Sequence, residues 1–131
     1  RFRGAARGLR RIVPSVDVVL SSPYARAWQT AEILVDEAGW PAPEPCEALE
    51  AVSASADALE PIRARTGGGA VAVVGHEPHL SGLVSLLLAG DAGAVALDLK
   101  KGGVVCLELS GDPAVLRWAA TPKMLRLLSP R

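Results

Sequence analysis

Two residues in this chain are of a type, and in a place, to hold an anion. Arg26 falls in the first turn of a segment that reads as a helix, where a cation is disfavoured because the helix amino end already carries partial positive charge. An anion held between the two reverses that cost, and the planar fork of a guanidinium suits a phosphoryl group. His76 follows Ala70-Val-Ala-Val-Val74 and Gly75, so it stands where a strand ends and the next helix begins. Ligands of open α/β sheets bind in that crevice, and helix N–H groups favour anions there. Each residue has a plain alternative: an exposed arginine opposite an apolar helical stripe, and a histidine satisfied in a turn. Taken together, an arginine and a histidine at two strand ends suit a phosphoryl dianion. Arg26 and His76 are the candidate catalytic and phosphate-binding residues.

Other groups read as weaker candidates. Glu77 and His79 sit close to His76, but 76 and 79 straddle a strand-to-helix junction and no acid or cysteine cluster offers a third ligand, so no metal site is expected. Ser22 would be a nucleophile only with a base beside it; its place before Pro23 already explains it as a helix cap. No glycine-rich loop has P-loop spacing. Cys46 and Cys106 make no disulfide framework.

The elements that must carry these residues follow from pattern. Residues 1–12 read as a helix with Phe2, Ala5, Ala6, Leu9 and Ile12 on one side, ended by Pro14, and with no start signal. Val16–Leu20 reads as a strand, and 23–38 as a helix with a Tyr24, Ala27, Trp28, Ala31, Leu34, Val35 stripe and a Gly39 stop. Residues 40–52 read as a loop and 53–65 as a helix that Pro61 kinks or delays. The 70–74 run reads as a strand buried on both faces. Pro78 opens a helix with Leu80, Leu83, Val84, Leu87 and Leu88 packed. Val95, Leu97 and Leu99 alternate as an edge strand would; 104–109 and 114–119 form a hairpin; Thr121-Pro122 caps a last helix with Met124, Leu125, Leu127 and Leu128 apolar. Strand-to-helix units followed by an antiparallel hairpin predict an α/β domain of three layers.

The chain has 131 residues, 50% of them hydrophobic, which is enough for one domain with a core. Its formal charge is zero, so the whole-chain balance argues for neither nucleic acid nor an acidic membrane. The arginines near the start (Arg1, Arg3, Arg7, Arg10, Arg11) read as a solvated helix face. No apolar run approaches the roughly 20 residues of a membrane span, and no signal segment opens the chain. The expectation is a cytoplasmic monomer.

Two stretches carry a family resemblance. Leu20-Ser-Ser-Pro-Tyr-Ala-Arg-Ala-Trp-Gln-Thr-Ala-Glu-Ile-Leu34 and Val74-Gly-His-Glu-Pro-His-Leu-Ser81 resemble two signatures of the histidine phosphatase superfamily. The Gly-His-Glu-Pro form, the short length and Lys101-Gly-Gly103 before an apolar strand are similar to its SixA-type phosphohistidine phosphatase branch. The resemblance implies a phosphoglycerate mutase-like α/β/α fold with a mixed sheet and a C-terminal hairpin. It implies hydrolysis of a phosphoryl group on a protein histidine through a phosphohistidine intermediate, with no metal or other cofactor. Arg26 would clamp the phosphoryl oxygens and His76 would stabilise the charge that builds up in transfer. A small phosphomonoester is the alternative substrate, and a non-catalytic phosphate- or phosphoprotein-binding domain the alternative role. In other branches a glutamate is the general acid; Glu44, Glu47 and Glu50 lie in that region, and a solvated loop explains all three.

The chain departs from the family at the nucleophile. The family's Arg-His-Gly is absent, and the only histidines are His76 and His79. Together with the first helix's missing start signal, this reads as a single domain incomplete at its amino end. It would lack the family's first strand, nucleophile and one phosphate-binding arginine; a natural pseudoenzyme is the other reading. Since the family's first strand lies inside the sheet, the strands near 71–75 and 104–109 are expected to flank a slot, with no ladder between them.

Overall fold

A computed structural model describes residues 2–130. The chain runs α1 (Phe2–Ile12), β1 (Val18–Ser21), α2 (Ala25–Ala38), β2 (Glu44–Pro45), 3-10 turns at Glu47–Leu49 and Ser55–Ala58, and α3 (Leu59–Arg65). It continues with β3 (Val71–Val74), α4 (His79–Ala89), β4 (Val104–Glu108), β5 (Val115–Ala120) and α5 (Pro122–Leu127). A parallel sheet of order β2-β1-β3 and an antiparallel β4-β5 hairpin form the middle layer.

Two cores flank that layer. On one side α1, α2 and α5 bury Ala5, Ala6, Leu9, Ala31, Leu34 and Leu125 against Val19 of β1. On the other, α3, α4 and the 3-10 turns bury Leu49, Ala58, Ile62, Leu83 and Leu87 against Leu20. Val19 and Leu20 are adjacent because successive side chains of a strand point to opposite faces. Each fully buried leucine stabilises by about 1.5–3 kcal/mol, so β1 is anchored from both sides.

The register of β1 on β3 brings the candidate site together. Ser21 pairs with Val74, and the Ser22 N–H donates to the Val74 carbonyl at 2.9 Å, so both strands end at one level. At the other end, the Asp17 carboxylate accepts the Ala70 N–H at 2.7 Å. A Cβ on Gly69 would stand 2.5 Å from that carboxylate oxygen, so a side chain there would push the Asp17 carboxylate aside.

The β3 and β4 strands belong to separate sheets with no ladder between them, as the slot reading expects. Their side chains nevertheless sort to the same two cores: Ala72, Val74 and Val104 to the first, Val71, Val73 and Leu107 to the second. They therefore lie in one layer. On β3 this corrects the expectation of full burial, since Val71–Val74 are all half-buried. The strand has β1 on one edge and no ladder partner on the other among the described residues.

Other expectations need correction. The 40–52 loop contains β2, which pairs with Leu20 and Ser21 in parallel. The helix expected over 53–65 starts only at Leu59, in line with the delayed start allowed for Pro61, and the preceding turn is 3-10. Val95–Leu99 is irregular: Val95, Leu97 and Leu99 are half-buried and their neighbours exposed, but no strand pairs with them, and the Val95 N–H donates to Ser85 Oγ at 2.9 Å. In α5 only Leu125 is buried; Met124, Leu127 and Leu128 are exposed, as is Ile12 at the end of α1.

Candidate functional site

Ser22 and Pro23 close β1, and Tyr24 stands at the amino end of α2. No side chain caps that end, and no acid lies in its first turn. Ser22 was expected to cap this helix. Its hydroxyl does accept the Tyr24 N–H at 3.2 Å, but the helix begins at Ala25 and the hydroxyl's second contact lies elsewhere. It is 2.8 Å from Nε2 of His76. The Tyr24 and His76 rings are tilted at 53° with centroids 5.7 Å apart. Two strand ends thus converge in a cluster of Ser22, Tyr24 and His76.

Arg26 lies two residues past Tyr24, in the first turn of α2. It is exposed, and its guanidinium has no hydrogen-bond or ion-pair partner among the described residues. The other arginines in charged contacts differ: Arg3 and Arg7 are held by Glu37, Arg65 by Glu44 and Arg117 by Glu108. Arg26 therefore keeps all its donors beside an uncapped helix amino end.

The amino end of α4 is arranged differently. Pro78 precedes the helix, which starts at His79, one residue later than expected. Glu77 folds onto the first turn and accepts from the Ser81 N–H at 2.8 Å and from the Ser81 hydroxyl. Leu80 N–H is taken by the His76 carbonyl. The open helix end at this site is thus that of α2, and the β3–α4 junction contributes the His76 ring.

His79 serves the scaffold. It is buried, its Nε2 meets the Ala54 carbonyl at 3.2 Å, and its own carbonyl accepts from Ser55 Oγ at 2.8 Å. The two histidine rings have different partners, and among the described residues no group of three or more His, Cys, Asp or Glu could hold a metal. Of the three glutamates, Glu44 is bound by the Arg65 guanidinium through two contacts, the longer 2.9 Å, which holds its carboxyl below the usual range and suits it poorly as an acid. Glu47 is exposed. Glu50 is half-buried and follows Leu49, whose carbonyl lies against Gly75. Burial raises the Cys106 thiol.

A serine hydroxyl beside an imidazole meets the first requirement of an activated nucleophile. Ser22 is 0% exposed, however, and no carboxylate accepts from the other ring nitrogen of His76 among the described residues. Among the described residues the pair therefore lacks the third group that would orient a general base. Sequence reasoning missed the pair because it depends on the register of two strands far apart in the chain; the polar residues directly after both apolar runs were the one available signal.

No family model matches this chain, and no curated protein does. A search of solved structures gives a different result. The protein histidine phosphatase SixA complexed with tungstate superposes with a TM-score of 0.82 at 25% sequence identity, over 93% of this chain and 79% of that one. The fold is SixA-like. It is the phosphoglycerate mutase-like α/β architecture, with its parallel sheet and antiparallel hairpin, and the SixA likeness supports the histidine phosphatase superfamily for this chain. No helix among the described residues is long and apolar enough to cross a membrane.

Proposed function

We propose that this chain is a single domain that binds the phosphoryl group of a phosphorylated protein histidine, as a phosphohistidine phosphatase does. The supporting observation is the unpaired Arg26 guanidinium on the uncapped amino end of α2, with His76 presented by the adjacent strand end. Arg26 supplies bidentate donors, the α2 amides add dipole, and His76 adds a further donor where charge accumulates. The likeness to a histidine phosphatase holding tungstate, whose tetrahedral oxyanion stands in for a phosphoryl group, supports the same ligand class. Short connections flank the site: Ser22–Tyr24 after β1 and Gly75–Pro78 after β3. Such a site admits a phosphorylated side chain on another protein.

Hydrolysis in the superfamily goes through a nucleophilic histidine in an Arg-His-Gly context. These 131 residues hold His76 and His79 and no such motif. That favours a second reading, in which this chain binds phosphoryl groups or phosphoproteins without turning them over. One pair of measurements tests both: tungstate titration by calorimetry, and phosphate release from a phosphohistidine protein. Saturable binding without release is expected from this chain. Absence of binding overturns the phosphoryl reading, and measurable turnover overturns the need for the Arg-His-Gly histidine.

A further inference from the structure

The Ser22 hydroxyl is enclosed and serves two partners at once. It accepts the Tyr24 N–H at 3.2 Å and stands 2.8 Å from His76 Nε2. A hydroxyl has two lone pairs and a single proton. The Tyr24 amide uses a lone pair and leaves the proton to be placed. Among the described residues Nε2 is the acceptor that the hydroxyl meets, and a buried O–H without an acceptor is costly. The hydroxyl therefore donates to Nε2, and neutral His76 carries its own proton on Nδ1.

We propose that Ser22 is a positioning residue that fixes His76 as its Nδ1–H tautomer and so aims a ring N–H at the bound oxyanion. The ligand rests on the phosphoryl reading above; the tautomer does not. The arrangement lets His76 donate a hydrogen bond while uncharged. It also explains why a serine at this strand end is buried: β1 and β3 end level, and the hydroxyl links the two ends where backbone pairing stops. His79 makes the opposite choice. Its Nε2 faces a carbonyl, which only accepts, so Nε2 carries the proton there.

The two histidines in opposite tautomers make the test self-calibrating. Ring ¹⁵N shifts are read from long-range proton–nitrogen correlations on the 131-residue chain, about two pH units above the ordinary histidine value. A His76→Gln spectrum assigns the rings. The expected result is Nδ1–H for His76 and Nε2–H for His79. In Ser22→Ala, His76 loses its single tautomer, His79 is unchanged and so reports an intact fold, and tungstate affinity falls about tenfold. Nε2–H on His76 in the unaltered chain overturns the proposal, as does an unchanged tautomer in Ser22→Ala. If that variant does not fold, the unaltered chain's spectrum decides alone. An Nδ1–H His76 in a chain that binds no tungstate upholds the positioning and overturns the phosphoryl reading.

Discussion

Arg26→Ala separates binding from stability more cleanly than any other substitution in this chain. The side chain is exposed and has no partner among the described residues, so nothing in the packing is lost with it. Its charge also lies at the positive end of α2, an interaction that disfavours a cation by about 0.3–1 kcal/mol. Removal should therefore leave unfolding free energy unchanged within about 0.5 kcal/mol, or raise it slightly. Binding should respond very differently. Two charge-assisted hydrogen bonds at about 1.5 kcal/mol each make about 3 kcal/mol, which is about a hundredfold in affinity. Calorimetric titration with tungstate and urea denaturation of the same samples give both numbers. Arg11→Ala, another exposed arginine, is the control for net charge. Equal affinity in Arg26→Ala and the unaltered chain would refute the role given to Arg26. A loss of more than about 1 kcal/mol of stability would refute the claim that its guanidinium is unengaged.

Two further predictions concern the scaffold. A Cβ on Gly8 would fall 1.7 Å from the Leu125 carbonyl oxygen, a backbone contact that cannot swing aside, so Gly8→Ala should separate α1 from α5 and cost about 3 kcal/mol or more in urea denaturation. Stability unchanged within about 0.5 kcal/mol would show that the helices are not in such close contact. Glu37, hydrogen-bonded to Arg3, and Glu44, hydrogen-bonded to Arg65, both have carboxyls held below the usual range in the folded chain. Their contribution is present above the unfolded glutamate value, about 4.3, and is lost as pH falls below it through the folded values. A Glu37→Gln/Glu44→Gln variant should thus show a smaller drop in urea midpoint than the unaltered chain between about pH 7 and about pH 3; equal drops would assign the acid sensitivity to other groups.

Elements fixed by local chemistry were legible in the sequence. Thr121-Pro122 starts α5, with Thr121 Oγ1 accepting from Met124 N–H at 3.2 Å, and Gly39 ends α2 at a φ of 71°. The apolar runs of β1 and β3 and the placement of His76 between strand and helix were legible for the same reason. What escaped depended on partners remote in sequence. The Glu44-Pro45 strand is too short for any pattern and exists because β1 offers it an edge. Val95–Leu99 has the alternation of a strand without a neighbour to pair with, so alternation fixed which side chains turn inward and nothing more. The leucines of α5 read as core, but of these only Leu125 is buried against α1, while Leu127 and Leu128 are exposed. Ser22 was legible as a cap by composition; its bond to His76 needed the pairing of Ser21 with Val74.

The unladdered side of β3 bears on how this chain behaves in concentrated solution. Val71-Ala-Val-Val74 has no charge, no proline and only half-burial, and one of its edges has no ladder partner among the described residues. Natural sheets usually guard such edges with charges, prolines or bulges, because an unguarded row of amides and carbonyls templates further strands. The hairpin has a register shift that leaves Arg117 of β5 as the extra residue, whereas β3 has none of these guards. Aggregation of this chain should therefore start from the unladdered β3 edge of its parallel sheet, with Val71–Val74 as its seed.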